Sequence, residues 1–173
     1  MKNEELMTML QTALQMEEKG YGFYEEATKN ASSEEVKKLF SKLRDEEIVH
    51  AERIKKIFAQ IQSQGTWSED VSSFMKPDKA LDRIFKELKK GGKVEKTASE
   101  LQAIDVASGL EEKSIAFYEE HLRKAESALE KRFLEAMVSE ERSHFQALRT
   151  MKLFLEDPSA FYEELEKSHV DGG

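Results

Sequence analysis

The chain contains no cysteine, only two prolines, eight glycines and one tryptophan in 173 residues. Without cysteine there can be no disulfide framework, no thiolate-bound zinc or iron–sulfur cluster and no thiol nucleophile. Its absence also fits a reducing compartment. So few prolines and glycines leave little room for tight turns, and regular structure must run in long pieces. No stretch approaches 18 consecutive apolar residues, so no membrane-spanning helix is expected. Residues Met1–Leu10 include Glu4 and Glu5 and hold no continuous apolar run, unlike a secretory signal. An excess of positive charge is missing too. The 27 Lys and Arg are outnumbered by 35 Asp and Glu and interspersed with them, giving a formal net charge of -8. Nucleic-acid binding needs a basic face, so nucleic acid is set aside as a partner. A cytoplasmic protein with no membrane or nucleic-acid partner is expected. What the chain has in abundance is Glu, Lys, Leu and Ala, with 36% of residues charged, which is the composition of long helices in one domain.

The sequence repeats itself. Glu17–Glu26 reads EEKGYGFYEE and Glu111–Glu120 reads EEKSIAFYEE, identical at seven of ten positions with an offset of 94. At the same offset, EEIVH (Glu46–His50) returns as EERSH (Glu140–His144). Two segments recurring with one internal spacing indicate a duplicated two-helix unit. The periodicity predicts four long helices, at about 4–29, 34–63, 99–125 and 127–156. Ser32 or Ser33 is the expected cap of the second, Thr97 or Ser99 that of the third, and Asp157-Pro158 ends the fourth. Short links inside each pair make two antiparallel hairpins, 4–63 and 99–157. The intervening segment, 64–98, is long enough to return the chain along a bundle, since a helix of about 25 residues spans roughly 37 Å. Within it Pro77-Asp78-Lys79 opens a short amphipathic helix carrying Leu81, Ile84, Phe85 and Leu88, and Gly91-Gly92 closes it. An all-α four-helix bundle with one long crossover is therefore expected. A short helix and tail (158–173, with Phe161, Tyr162 and Leu165) follow it.

Polar residues interrupt the apolar stripes. The second helix presents Val36, Phe40, Leu43, Glu47, His50, Ile54, Ile57 and Ile61 at alternating spacings of 3 and 4. The fourth presents Leu134, Met137, Glu141, His144, Leu148, Met151 and Leu155. On the first the stripe is Leu10, Leu14, Glu17, Tyr21 and Tyr24; on the third it is Ile104, Ser108, Glu111, Ile115, Tyr118 and Leu122. Four glutamates and two histidines thus face the core near mid-helix. Burying four carboxylates together is prohibitive without counter-charge, and two divalent cations would supply it. One Glu from each of two helices, with Glu-x-x-His from each of the other two, is a ligand set that holds paired iron or manganese in helical bundles. Hard carboxylates with imidazole and no thiolate suit iron or manganese. The expected metal ligands are Glu17, Glu47, His50, Glu111, Glu141 and His144. The adjacent acids Glu18, Glu46, Glu112 and Glu140 read as surface residues or as a second layer around the ligands. Tyr24 and Tyr118 are either core aromatics or phenols donating to ligand carboxylates. His121 and His169 lack a Glu three residues before them, and the methionines read as packing residues.

The pattern Glu17/Tyr24, Glu47/His50, Glu111/Tyr118 and Glu141/His144 resembles the rubrerythrin branch of the ferritin-like superfamily, over roughly residues 4–156. The resemblance implies a ferritin-like bundle and a non-haem centre of two iron ions, with manganese or zinc as alternatives, reacting with hydrogen peroxide or dioxygen. It also implies crosswise hydrogen bonds from Tyr24 to Glu111 and from Tyr118 to Glu17, which makes both tyrosines the candidate catalytic side chains. Two features depart from the family pattern. A rubredoxin-like domain, with its four cysteines, is missing, so an external electron donor is expected. The additional glutamate three residues after the third-helix ligand is Ser114 here, with Gly20 at the matching place in the first helix, which bears on peroxidase activity. A homodimer is expected. An iron-storage or ferroxidase subunit of a larger cage, and a helical interaction protein with a structural metal, are the alternatives.

Overall fold

The computed structural model describes residues 3–67, 80–88 and 97–163. Five helices are seen among them: α1 (Asn3–Asn30), α2 (Glu34–Gln64), α3 (Ala80–Leu88), α4 (Ala98–Lys124) and α5 (Ala128–Glu156), with a further helical turn at 158–163. No strand occurs among the described residues. Helix α1 packs chiefly along α2 and α4 along α5, while α1 also meets α4 and α2 meets α5. This is the ferritin-like arrangement of two hairpins in one bundle. The expected boundaries are met within a residue or two because the caps are encoded locally. Ser33 accepts from the Val36 amide, Thr97 from the Glu100 amide and Ser127 from the Glu130 amide, each satisfying an end-of-helix donor. Gly65 ends α2 in the left-handed conformation, with φ 72, and its amide returns to the Ile61 carbonyl. Pro77-Asp78-Lys79, Gly91-Gly92, Leu165 and His169 lie outside the described residues.

Glu100 joins the two hairpins. One carboxylate oxygen completes the capping box by accepting from Thr97, and the other accepts from the Ser32 and Ser33 amides at 2.9 and 2.7 Å. A single buried side chain therefore fixes the start of α4 against the α1–α2 turn. Helix α3 rests on α2, and Tyr162 donates to the Leu88 carbonyl at 3.2 Å, so the helical turn after α5 is tied to the crossover. Phe161 is buried against Phe154.

One predicted position on α1 differs. Tyr21 is 39% exposed, and Leu14 is half-buried. The buried face runs through Leu6, Leu10, Ala13, Glu17, Gly20 and Tyr24. At 100° per residue that face is centred to the Gly20 side of Glu17, which puts Tyr21 at its edge.

The apolar interior falls into two clusters. One holds Phe40, Leu43, Ile104, Leu148 and Tyr24; the other holds Leu10, Ile54, Ile57, Leu134 and Tyr118. In sequence, the Glu and His of every stripe lie between these two sets, so the polar layer sits mid-bundle with a dry plug on either side.

Candidate metal centre

All six stripe residues come together in that layer. Glu17, Glu47, His50, Glu111, Glu141 and His144 are each no more than 4% exposed. Their donor atoms form two groups able to hold a cation: Glu17, Glu47 and His50, and Glu47, Glu111, Glu141 and His144. Within each group the chosen atoms lie within 4.8 Å of one another. Glu47 belongs to both. Its carboxylate leans over Gly20, where an added Cβ would come 2.9 Å from the carboxylate carbon. A larger residue at this position would push the Glu47 carboxylate aside.

Each histidine presents Nδ1 to the cluster and Nε2 to a carboxylate behind it. His50 Nδ1 lies 3.0 Å from Glu17 and 3.3 Å from Glu141, while its Nε2 lies 2.7 Å from Glu140. His144 Nδ1 lies 3.7 Å from Glu141 and 3.8 Å from Glu111, while its Nε2 lies 2.8 Å from Glu46. The pairing is crosswise: each hairpin supplies the carboxylate behind the other hairpin's histidine. Arg53 holds Glu140 at 2.6 Å, and Lys42 holds Glu46 at 2.9 Å. The two imidazole rings stack with centroids 5.5 Å apart. Outer carboxylates of this kind fix the tautomer and aim of a ligating imidazole.

The tyrosines also cross. Tyr24 donates to Glu111 and Tyr118 donates to Glu17. Burial, and then the charge of those same carboxylates, pushes both phenols well above their ordinary value, so both keep their protons.

Burial and mutual charge move the layer's carboxyls and imidazoles away from their ordinary values. Burial raises the Glu17 carboxyl, but the charge and hydrogen bond of His50 outweigh it and leave the group below the ordinary range. Burial likewise opposes the lowering of Glu111, where His144 prevails. Glu47 and Glu141 stand well above the ordinary value, from burial first and then from neighbouring carboxylates, Glu17 foremost. Burial disfavours an imidazolium at 144, yet the carboxylates of Glu111 and Glu46 push it up to about 10. His50 rises for the same reasons, with Glu17 the strongest partner. Behind it, burial of Glu140 is outweighed by His50 and Arg53, which bring the carboxyl down to about 2.

The residues fit a pair of divalent cations. His144 Nδ1 is buried without a hydrogen-bond partner, and it belongs to a cluster of oxygen and nitrogen donors with no sulfur. A buried polar atom without a partner is costly, and metal coordination by the neutral imidazole would satisfy it. A family model described as rubrerythrin matches residues 8–152. The chain belongs to the rubrerythrin family. Rubrerythrins are di-iron proteins, and the cluster lies entirely within the matched span. No curated protein and no solved structure matches the chain.

Among the predicted residues, all six stripe Glu and His side chains and both tyrosines meet in one layer. Of the four adjacent acids, Glu18 and Glu112 are exposed, whereas Glu46 and Glu140 sit behind the histidines. The first pair thus takes the surface alternative and the second pair the second-layer one. Arg53 and Lys42 went unnoticed in the sequence. The available signal was that Glu46 and Glu140 recur at the repeat offset beside the ligands, as Glu18 and Glu112 also do. What separates the two pairs is helix rotation. His121 packs on Phe117 and donates from Nδ1 to the Phe117 carbonyl of its own helix at 2.9 Å, away from the layer.

Proposed function

We propose that the chain is a two-iron oxidoreductase that reduces hydrogen peroxide or dioxygen with electrons from an external donor. The observation that carries this reading is the pair of donor groups sharing Glu47, buried between two apolar clusters. Glu17, Glu47 and His50 would hold one ion, and Glu47, Glu111, Glu141 and His144 the other. A ferrous pair supplies two electrons and Lewis acidity at one place. Reducing one peroxide to two waters consumes two electrons and two protons, so the donor must deliver electrons in pairs or in succession.

The side chains have separable tasks. Glu140 and Glu46 orient the imidazoles so that Nδ1 faces the ions. Tyr24 and Tyr118 keep their protons and pin Glu111 and Glu17 by donation, restricting which oxygen each carboxylate offers. Crosswise pinning couples the hairpins, because each phenol anchors a carboxylate of the other half. The apolar plugs above and below exclude bulk water and strengthen every charge interaction in the layer.

The test is anaerobic loading with Fe(II), a metal count per chain, and mixing with peroxide while absorbance is followed. About two irons per chain and rapid oxidation support the reading. Tight binding of two ions that peroxide does not oxidise makes the site structural, and failure to bind iron removes the proposal.

A further inference from the structure

A cleft of about 140 Å³ opens between α1 and α4 and reaches the polar layer. Its floor includes Glu47 and Glu111, one belonging to both donor groups and one to the second. Gly20 and Ser114 also line the cleft, together with Lys19 and Lys113. Both lysines are exposed. These are matching positions of the duplicated unit: Lys19-Gly20 and Lys113-Ser114 stand 94 residues apart. The two hairpins thus contribute the same elements to one opening, a small residue and a lysine beside it.

We infer that this cleft is the entrance through which a small anion reaches the metal centre, with Ser114 setting its width and Lys19 and Lys113 its charge preference. The inference rests on the metal reading above. At about 30 Å³ per water, the space holds roughly four or five water molecules, enough for an anion of a few atoms and too little for a large organic ligand. Four carboxylates against two divalent cations leave the layer neutral, so the rim lysines decide the sign of the local field. A second opening, between α1 and α2, also reaches Glu47, but Glu18 and Glu52 outnumber Lys55 at its rim. It therefore disfavours anions, which makes the two openings distinguishable by charge.

The experiment uses the whole chain loaded with Co(II) and titrated with azide, followed by visible absorbance. The wild type is expected to bind two cobalt ions and azide. Ser114→Leu should keep its cobalt and weaken azide binding about tenfold, the cost of overfilling a close-fitting space. Lys19→Glu with Lys113→Glu should slow azide association about tenfold at low salt, with the difference shrinking at high salt. Ala51→Leu, in the other opening, should change neither. Unchanged azide binding in both the Ser114 and the lysine variants overturns the inference, as does loss confined to Ala51→Leu. Cobalt uptake without azide binding by the wild type also overturns it while leaving the metal reading standing. Failure to take up cobalt overturns the metal reading itself and this inference with it.

Discussion

The hairpins α1–α2 and α4–α5 carry the same inner residues and different outer ones. Glu17, Tyr24, Glu46, Glu47 and His50 return as Glu111, Tyr118, Glu140, Glu141 and His144. The cations behind the histidines do not. Lys42 and Arg53 both come from α2, and the matching places in α5 hold Ala136 and Ala147. Gly20, which lets Glu47 lean toward α1, is matched by Ser114. Ala51, which leaves an opening beside Glu47, is matched by Phe145. The difference follows from how tightly each task is specified. A ligand must place a donor atom to within a fraction of an ångström, so duplication is preserved there. An outer carboxylate needs only some cation within reach, so either half can supply it.

The largest effect comes from breaking the shared member. Glu47 belongs to both donor groups and Glu17 to one. Glu47→Ala is expected to cut iron to below about one ion per chain, whereas Glu17→Ala should leave about one, since affinity follows ligand count. Equal metal contents in the two variants would mean that the hairpins share the ions differently from the way they share the donors.

A smaller effect separates two glycines of α1. Gly20→Ala sets a Cβ 2.9 Å from the Glu47 carboxylate, and Gly22→Ala meets nothing within 4 Å. The atom that must move at Gly20 is the end of a flexible side chain, so the fold can yield while the ligand shifts. Gly20→Ala is expected to weaken metal binding roughly tenfold with little change in the melting of the metal-free chain, as misplaced ligands cost more than local strain. Gly22→Ala should raise stability by up to about 1 kcal/mol through helix propensity alone. Isothermal titration with Co(II) and thermal melts read both. Unaltered cobalt affinity in Gly20→Ala would show that Glu47 has room elsewhere.

Most of the inner layer was legible because it is written twice. A Glu-x-x-His in a glutamate-rich chain says little, but its return at the offset that also relates Glu17 to Glu111 marks positions rather than composition. Helix ends were legible because Ser33, Thr97 and Ser127 act on their own first turns. The outer layer was not legible, because Glu46 and Glu18 look alike in sequence and only the crossing of the helices decides which one faces a histidine. The same limit hid Glu100, whose partners at Ser32 and Ser33 lie more than sixty residues away. Tyr21 falls outside the buried face because a stripe of 3 and 4 spacings fixes a face only to within about one residue, and Gly20 rather than Tyr21 lies on it.

The finest contrast concerns pH, where the layer behaves oppositely with and without metal. Without metal, His50, His144, Glu47 and Glu141 all hold their protons more tightly than ordinary imidazoles and carboxyls do. All four groups are raised on folding. A raised group contributes stability fully below its unfolded value, near 6.5 for histidine and 4.5 for glutamate, and loses it as pH climbs toward the folded value, about 10 for His144. Glu140, lowered to about 2, acts only at the acid end: its contribution is present above 4.5 and disappears as pH falls toward 2. The metal-free chain should therefore be most stable in mildly acidic solution and should melt lower at pH 9 than at pH 6. A drop of about 5 °C is expected, at roughly 2–4 °C per kcal/mol for a chain of this size. Metal binding displaces protons from those groups, so affinity rises with pH, and with it the stabilisation by mass action. The gap between loaded and metal-free melting temperatures should widen from pH 6 to pH 9. Parallel curves would show that the protons and the cations do not compete for the same side chains. That result would separate the buried charge of this layer from its proposed use.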